Sequence, residues 1–168
     1  EVMLQQTQTD RVVKFYGHFL RAFPNCCALA RASVSDAIRL WQGLGYNRRA
    51  LMLHEAAQII TKEFRGVFPK SVELLKTLPG IGHATASAVA AFAFDEPSIF
   101  IETNIRAVYI HFFFKNQKNV RDDELLPIIK KTVDIKNPRE WYYALMDYGI
   151  MLKKKYKIPL NIQIHGDM

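Results

Sequence analysis

The amino-acid sequence predicts an all-α fold, and three observations carry that prediction. Apolar residues recur at helical spacing over most of the chain, as in Val12, Val13, Phe15, Tyr16, Phe19, Leu20 and Phe23. Proline and glycine punctuate these runs at Pro24, Gly43, Gly45, Gly66, Pro69, Pro79 and Pro97, leaving stretches of ordinary helix length between them. Only Ser98 to Ile101 reads as a short extended run. At the usual helix length the chain has room for about eight helices.

Taken in order, residues 2–23 read as one helix or two, ended by Pro24. Ser33, followed by Asp36 three residues later, resembles a capping box and opens a short helix through Ala37, Ile38, Leu40 and Trp41. It stops at Gly43-Leu44-Gly45. A third helix covers Arg48 to Phe64, with Leu51, Leu53, Ala56, Ala57, Ile60 and Phe64 inward. Val72, Leu74, Leu75 and Leu78 then run into Pro79-Gly80-Ile81-Gly82. Thr85 to Phe94 is Ala-rich and apolar nearly all round, which suits a helix buried among others. Asp95-Glu96-Pro97 breaks it. Glu102-Thr103-Asn104 leads a helix through Phe114, and Lys115 to Asp123 is a polar connection. Asp122 or Asp123 is the expected cap of a helix over Leu125 to Val133, and the last strong helix covers residues 139–155. No pattern is clear after Pro159. The polar break at Glu102 is the expected boundary between two lobes, 1–100, with the hairpin at about 72–94, and 101–168.

A chain of 168 residues can form one good-sized domain or two small helical lobes sharing a core. A hydrophobic fraction of 49% with 12% aromatic residues excludes a disordered chain. The net charge of +7 favours a polyanionic partner. Cys26 and Cys27 are adjacent, and no C-x-x-C or Cys/His set accompanies them, so no disulfide framework and no metal site is expected. No run approaches the length of a membrane span and no signal-peptide pattern opens the chain, so the expectation is a soluble intracellular monomer.

The stretch Leu78-Pro79-Gly80-Ile81-Gly82-His83-Ala84 is a helix-hairpin-helix pattern. Pro79 stops the first helix, while Gly80 and Gly82 permit positive φ and close backbone approach. Gly82 and the amides after it open a new helix, whose first-turn N–H groups have no intrahelical partner and can hold an anion. A DNA phosphate is one such anion. A tight αα-turn without a ligand is the plain alternative.

Five segments in fixed order narrow this further. They are Glu1-Val2-Met3-Leu4-Gln5-Gln6-Thr7-Gln8, Leu40-Trp41-Gln42-Gly43-Leu44-Gly45-Tyr46, Leu53-His54-Glu55-Ala56-Ala57, Phe68-Pro69 and the Leu-Pro-Gly-Ile-Gly hairpin. Together they closely resemble the MutY-type adenine DNA glycosylases of the endonuclease III superfamily, from Glu1 to about Ile101 and more weakly to Gly149. The resemblance implies a two-lobed α fold with a DNA-binding cleft between the lobes, into which a target nucleotide is flipped because a stacked base hides its glycosidic bond.

It also implies roles. Glu1 falls on the position of the acid that protonates the leaving purine; a frayed glutamate is the alternative. Glu102 stands where the superfamily carries the aspartate that stabilises the oxocarbenium sugar. Glutamate keeps that charge on a longer stem, and an acid favoured at a helix start is its alternative role. Gln6 and Thr7 match residues that wedge into the minor groove, and Tyr46 matches an intercalating aromatic, although a packed loop aromatic reads the same way. Leu4, Gln5 and Ala84 fall near the base pocket. Gly80, Gly82 and the amides of His83 and Ala84 form the phosphate cradle, with a monovalent cation on hairpin carbonyls implied beside it. Arg48 and Arg49 are placed to reach phosphates or to remain solvated. Ala84 replaces the lysine with which bifunctional relatives attack the sugar, and Arg106 replaces a lysine of MutY, so hydrolysis without efficient strand cleavage is expected. Ala84 is also neither the serine nor the tyrosine that the MutY pattern carries there.

MutY proteins carry four cluster-binding cysteines after the segment matching Ala144-Leu145-Met146-Asp147-Tyr148-Gly149. Leu152-Lys153-Lys154-Lys155-Tyr156 has none, so no iron–sulfur cluster is expected; the lysines can take over part of its attraction for DNA, or serve as a basic helix end that suits the helix dipole. The domain that examines 8-oxoguanine does not lie within these residues. The expected function is therefore a monofunctional base-excision glycosylase acting on mispaired adenine, possibly opposite 8-oxoguanine, in double-stranded DNA carrying a mismatch or lesion. It would be cytoplasmic and nucleoid-associated, or nuclear in a eukaryote. A thymine or uracil mismatch glycosylase and a catalytically inactive lesion-binding module are the alternatives.

Overall fold

The computed structural model describes residues 1–115, 117 and 119–156, the side chain of Tyr156 excepted. Among the described residues there are nine α-helices, one 3-10 turn and no strand. The expectation for the chain after Pro159 lies outside them. No helix among them is long and apolar enough to cross a membrane. Two compact units divide between Ile81 and Gly82.

The first unit opens with a 3-10 turn, Val2–Leu4, and helix α1, Thr9–Ala22. Of the one or two helices expected over residues 2–23 the structure has two pieces, parted where Gln6 turns left-handed, at φ +50°. Helix α2, Cys26–Arg31, was not expected; it buries little beyond Leu29, too weak a stripe to read, and is started by Asn25 Oδ1 accepting from Ala28 N at 2.9 Å. Helix α3, Val34–Trp41, begins as expected, with Ser33 Oγ accepting from Asp36 N at 3.1 Å and donating to Asp36 Oδ2 at 2.7 Å. Helix α4, Arg48–Lys62, packs on α2 and α3, and the short α5, Val72–Leu75, leads to the hairpin. Trp41 is the centre of this core, wholly buried with Phe19 edge-on at 5.9 Å and Met3, Val12, Leu29, Leu44 and Ala50 around it. His54 is buried too, its Nε2 on Ala32 O at 2.9 Å.

The second unit holds α6, His83–Phe94, α7, Thr103–Phe113, α8, Asp122–Thr132, and α9, Pro138–Tyr156, which packs along both α7 and α6. Helix α6 starts two residues earlier than its apolar run, because Gly82 serves as its N-cap. At its other end Asp95 turns left-handed, and its Oδ1 accepts from Arg139 N at 3.0 Å. Arg139 returns the favour, donating from Nε to Phe92 O at 2.8 Å and from Nη2 to Ala93 O at 3.3 Å. Neither Asp122 nor Asp123 caps α8: Asp122 pairs with Arg106 and Asp123 with Arg121, while the Glu124 carboxylate accepts from Arg121 N at 2.8 Å.

The extended run Ser98–Ile101 belongs to this second core. Tyr142 Oη donates to Ser98 O at 2.6 Å, Ser98 Oγ donates to Ser87 O at 2.6 Å, and the Phe100 ring lies 4.4 Å from that of Tyr142. Such ties join residues 98–101 to α6 and α9, so the compact units part inside the hairpin, upstream of the polar break at Glu102. Burial pushes the Tyr142 phenol far above its ordinary range, so it stays a donor at every working pH. Tyr142→Phe leaves Ser98 O without its buried donor and is expected to cost about 1–2 kcal/mol, read as a lowered midpoint in urea unfolding.

Candidate nucleic-acid interface

In the first unit, two loops converge on one guanidinium. Arg49 is 9% exposed and is the second residue of α4. Its Nη1 donates to Val2 O and Met3 O, both at 3.1 Å, and to Gln5 O; its Nη2 donates to Thr7 Oγ1 at 2.9 Å, Gly45 O at 3.2 Å and Leu44 O at 3.4 Å. Its carbon lies 5.3 Å from the Trp41 ring centroid and 5.5 Å from that of Tyr46. Burial lowers its pKa from the usual arginine value. Arg49 therefore faces the protein interior and not a phosphate, which corrects its sequence-based assignment; Arg48 is exposed. A basic pair in the first turn of a helix opposes the helix dipole, and that was the available signal that one of them serves another partner.

The same loops hold the candidate probes. Gln6 is exposed at φ +50°, and Tyr46 is 64% exposed at φ +49°. A left-handed residue other than glycine costs about 1–3 kcal/mol and persists only where its surroundings hold it. Gly43 and Gly45 flank the turn at φ +96° and +78°, Arg11 Nε donates to Gly43 O at 2.5 Å, and Trp41 Nε1 donates to Gly45 O at 3.1 Å. Thr7 donates from Oγ1 to Gln5 O at 3.2 Å. Leu4 is exposed on the 3-10 turn, and Glu1 is exposed at its start, with its backbone carbonyl accepting from Leu4 N at 2.9 Å.

Gln5 reaches from this loop to the hairpin, donating from Nε2 to Gly80 O at 3.1 Å. The two hairpin glycines differ in kind. Gly80 has φ +75°, and a Cβ there would lie 2.9 Å from Met52 Sδ. Gly82 does not take positive φ as expected: it is extended, at φ −78° and ψ 175°, and a Cβ on it would meet nothing within 4 Å. The backbone at Gly82 is thus open to an approaching group. No side chain caps α6 there, and His83 and Ala84 in its first turn are exposed. His83 itself places Nε2 3.3 Å from Ile99 O.

Glu102, in the second unit with α6, is the N-cap of α7. Its Oε1 accepts from Asn104 N at 2.6 Å and Ile105 N at 3.0 Å, and its Oε2 accepts from Thr103 Oγ1 at 3.3 Å and Asn104 Nδ2 at 3.4 Å. The capping alternative is thereby realised. Arg106, in the same helix, is engaged with Asp122 and Val120 O. Glu1 falls in the first unit and Glu102 in the second.

A glycine hairpin opening a helix that no side chain caps, in a chain whose described residues form helices and no strand, is the construction of helix-hairpin-helix DNA-binding proteins. Residues 1–130 match the family model described as "HhH-GPD superfamily base excision DNA repair protein", and the chain belongs to that superfamily. It is 35% identical over 163 residues to an adenine DNA glycosylase of Buchnera aphidicola subsp. Baizongia pistaciae, covering 96% of this chain and 46% of that protein. It is 44% identical over 108 residues to the adenine DNA glycosylase of Mycobacterium tuberculosis, covering 64% and 36%, and 39% identical over 153 residues to that of Mus musculus, covering 89% and 30%. The chain thus spans about half or less of the length of these curated relatives. Among solved structures, a trapped endonuclease III–DNA covalent intermediate matches with a TM-score of 0.75 at 18% identity, covering 96% of this chain and 74% of that one. A thermostable thymine-DNA glycosylase matches with a TM-score of 0.75 at 22% identity, covering 88% and 70%. These two likenesses concern the fold.

Proposed function

We propose that this chain is the base-excising part of an adenine DNA glycosylase, which hydrolyses the N-glycosidic bond of a flipped, mispaired adenine in duplex DNA. The likeness to an adenine DNA glycosylase over 96% of the chain carries this reading. In the proposed reaction Glu1 gives a proton to the adenine ring as the glycosidic bond breaks, and the bonding electrons leave with the base. The Glu102 carboxylate faces the positive charge that develops on the sugar; water then adds its oxygen to the anomeric carbon and returns a proton to the Glu1 carboxylate left ionised by the first step. Gln6 and Tyr46 occupy the gap and the opposite strand, and the hairpin amides hold a phosphate. With Ala84 at the hairpin, no side chain there forms a Schiff base, so the product is an abasic site and not a cut strand. The proposed monovalent cation would sit on hairpin carbonyls, of which Gly80 O already accepts from Gln5 and keeps its second lone pair.

Single-turnover incubation with duplexes carrying adenine opposite guanine or 8-oxoguanine tests this, with alkali-labile breaks scored alongside borohydride trapping. Adenine release without a trapped adduct is expected. Release of pyrimidines only would transfer the chain to the thymine or uracil reading. A binding-only module is the second reading, favoured by the complete engagement of the Glu102 carboxylate in capping α7. Mismatch binding with no base released would establish it.

The cradle makes its own prediction. Gly82→Ala puts a methyl into open space at a φ that alanine adopts freely, while alanine is the poorer N-cap, so the two effects oppose each other and stability is expected to change by less than about 1 kcal/mol. DNA affinity is expected to fall, because that methyl occupies the approach to the amides. Thermal melting and fluorescence anisotropy on a short duplex separate the two effects; unchanged affinity would remove the phosphate from this hairpin.

A further inference from the structure

We propose that Arg49 is a positioning residue that locks the Gln5–Thr7 loop and the Gly43–Tyr46 loop into a single probe, fixing the spacing of Gln6 and Tyr46 on which recognition of an extruded nucleotide depends. This rests on the DNA-glycosylase reading for its purpose, while its geometry stands without it. All six acceptors of the guanidinium belong to these two segments, four from residues 2–7 and two from residues 44 and 45. Trp41, at the centre of the first core, and Tyr46 both lie within cation–π distance of the guanidinium carbon. Gln6 and Tyr46, both left-handed, carry the exposed side chains of the two loops.

Every acceptor is a backbone carbonyl or hydroxyl outside an α-helix, and the positive charge is met by carbonyl dipoles gathered from two loops distant in sequence. Gln5 extends the linkage, since its backbone carbonyl takes Arg49 Nη1 and its side chain takes Gly80 O at 3.1 Å. Displacement of either loop must therefore be felt by the other and by the hairpin. A lysine cannot replace this arrangement: its ammonium has three donors on one point and lacks the planar fork needed to serve both loops.

Two variants test the coupling. Thr7→Val removes one acceptor, Thr7 Oγ1, in the first loop; amide exchange in the free protein is expected to quicken by about tenfold at residues 43–47, which the Thr7 side chain reaches through the Arg49 guanidinium. Arg49→Lys is expected to keep its affinity for fully paired duplex while losing its preference for a mismatched one by about tenfold or more. A 2-aminopurine placed as the target base should lose its fluorescence rise on binding in parallel, a signal that a merely structural role would not single out. Wild-type exchange rates at residues 43–47 in Thr7→Val would overturn the proposal, whether or not Arg49→Lys folds. So would an Arg49→Lys protein with unchanged mismatch preference, or one that loses paired and mismatched DNA equally. If the wild-type chain shows no mismatch preference at all, the glycosylase reading fails, and the exchange measurement still decides the coupling.

Discussion

Glu102→Gln is expected to lower single-turnover base release by about a hundredfold or more while the protein still folds, the loss typical of removing one charge aimed at a developing ion. Glu102 caps α7 and is proposed to face the charge on the sugar, and this substitution separates the two. As a cap, it needs an oxygen that accepts from Asn104 N and Ile105 N, and the glutamine carbonyl supplies one. The second oxygen becomes an amide donor, and Asn104 presents a buried Oδ1 without a partner that a flipped side chain can offer to it. What is lost is the charge, worth about 0.3–1 kcal/mol at a helix N-terminus. Glu102→Ala removes cap and charge together and is expected to cost about 0.5–2 kcal/mol. Glu102→Asp restores the superfamily residue with its shorter stem; a faster reaction would show that the extra methylene misplaces the carboxylate. Base release in Glu102→Gln equal to that of the wild type would leave Glu102 a cap alone and end its assignment to the chemistry.

The features legible in the sequence were those written in local chemistry. Ser33 and Asp36 announced α3, the small residues of α6 announced burial, and Pro79 with Gly80 announced the hairpin. What stayed hidden depends on contacts between segments far apart in the chain. Arg49 and the loop at Gln5 are separated by more than forty residues, and nothing near Arg49 distinguishes it from the exposed Arg48 beside it except an unfavourable place in the helix. Gly82 carried a misleading cue: glycine suggests positive φ, but here its value lies in the open space where its Cβ is absent. Glu102 was the reverse case. Both roles were readable at that position, and the structure realises the cap without deciding the chemistry.

Gly149→Ala is expected to be the most damaging small substitution in the second unit. A Cβ at 149 would lie 2.4 Å from Asn104 O and 2.7 Å from both Asn104 C and Cα, so it meets backbone and has no flexible side chain to push aside. Helix α9 must then move away from the start of α7, loosening the packing of Ile105, Tyr142 and Leu152 in the shared core. Overpacking of this kind costs about 3 kcal/mol, which for a chain of this size lowers the melting temperature by about 6–12 °C. The clash falls two residues after Glu102, so the displacement also carries the capped carboxylate with it. A shift of about 1 Å in a reacting group can cost about a hundredfold in rate. Gly17→Ala is the matched control, because its Cβ finds Arg21 Nη1 at 3.6 Å on the exposed side of α1, and it should stabilise that helix by about 0.8–1 kcal/mol. Melting of Gly149→Ala at the wild-type temperature would mean that α7 and α9 are not in backbone contact, and the link between the last helix and Glu102 would have to be abandoned.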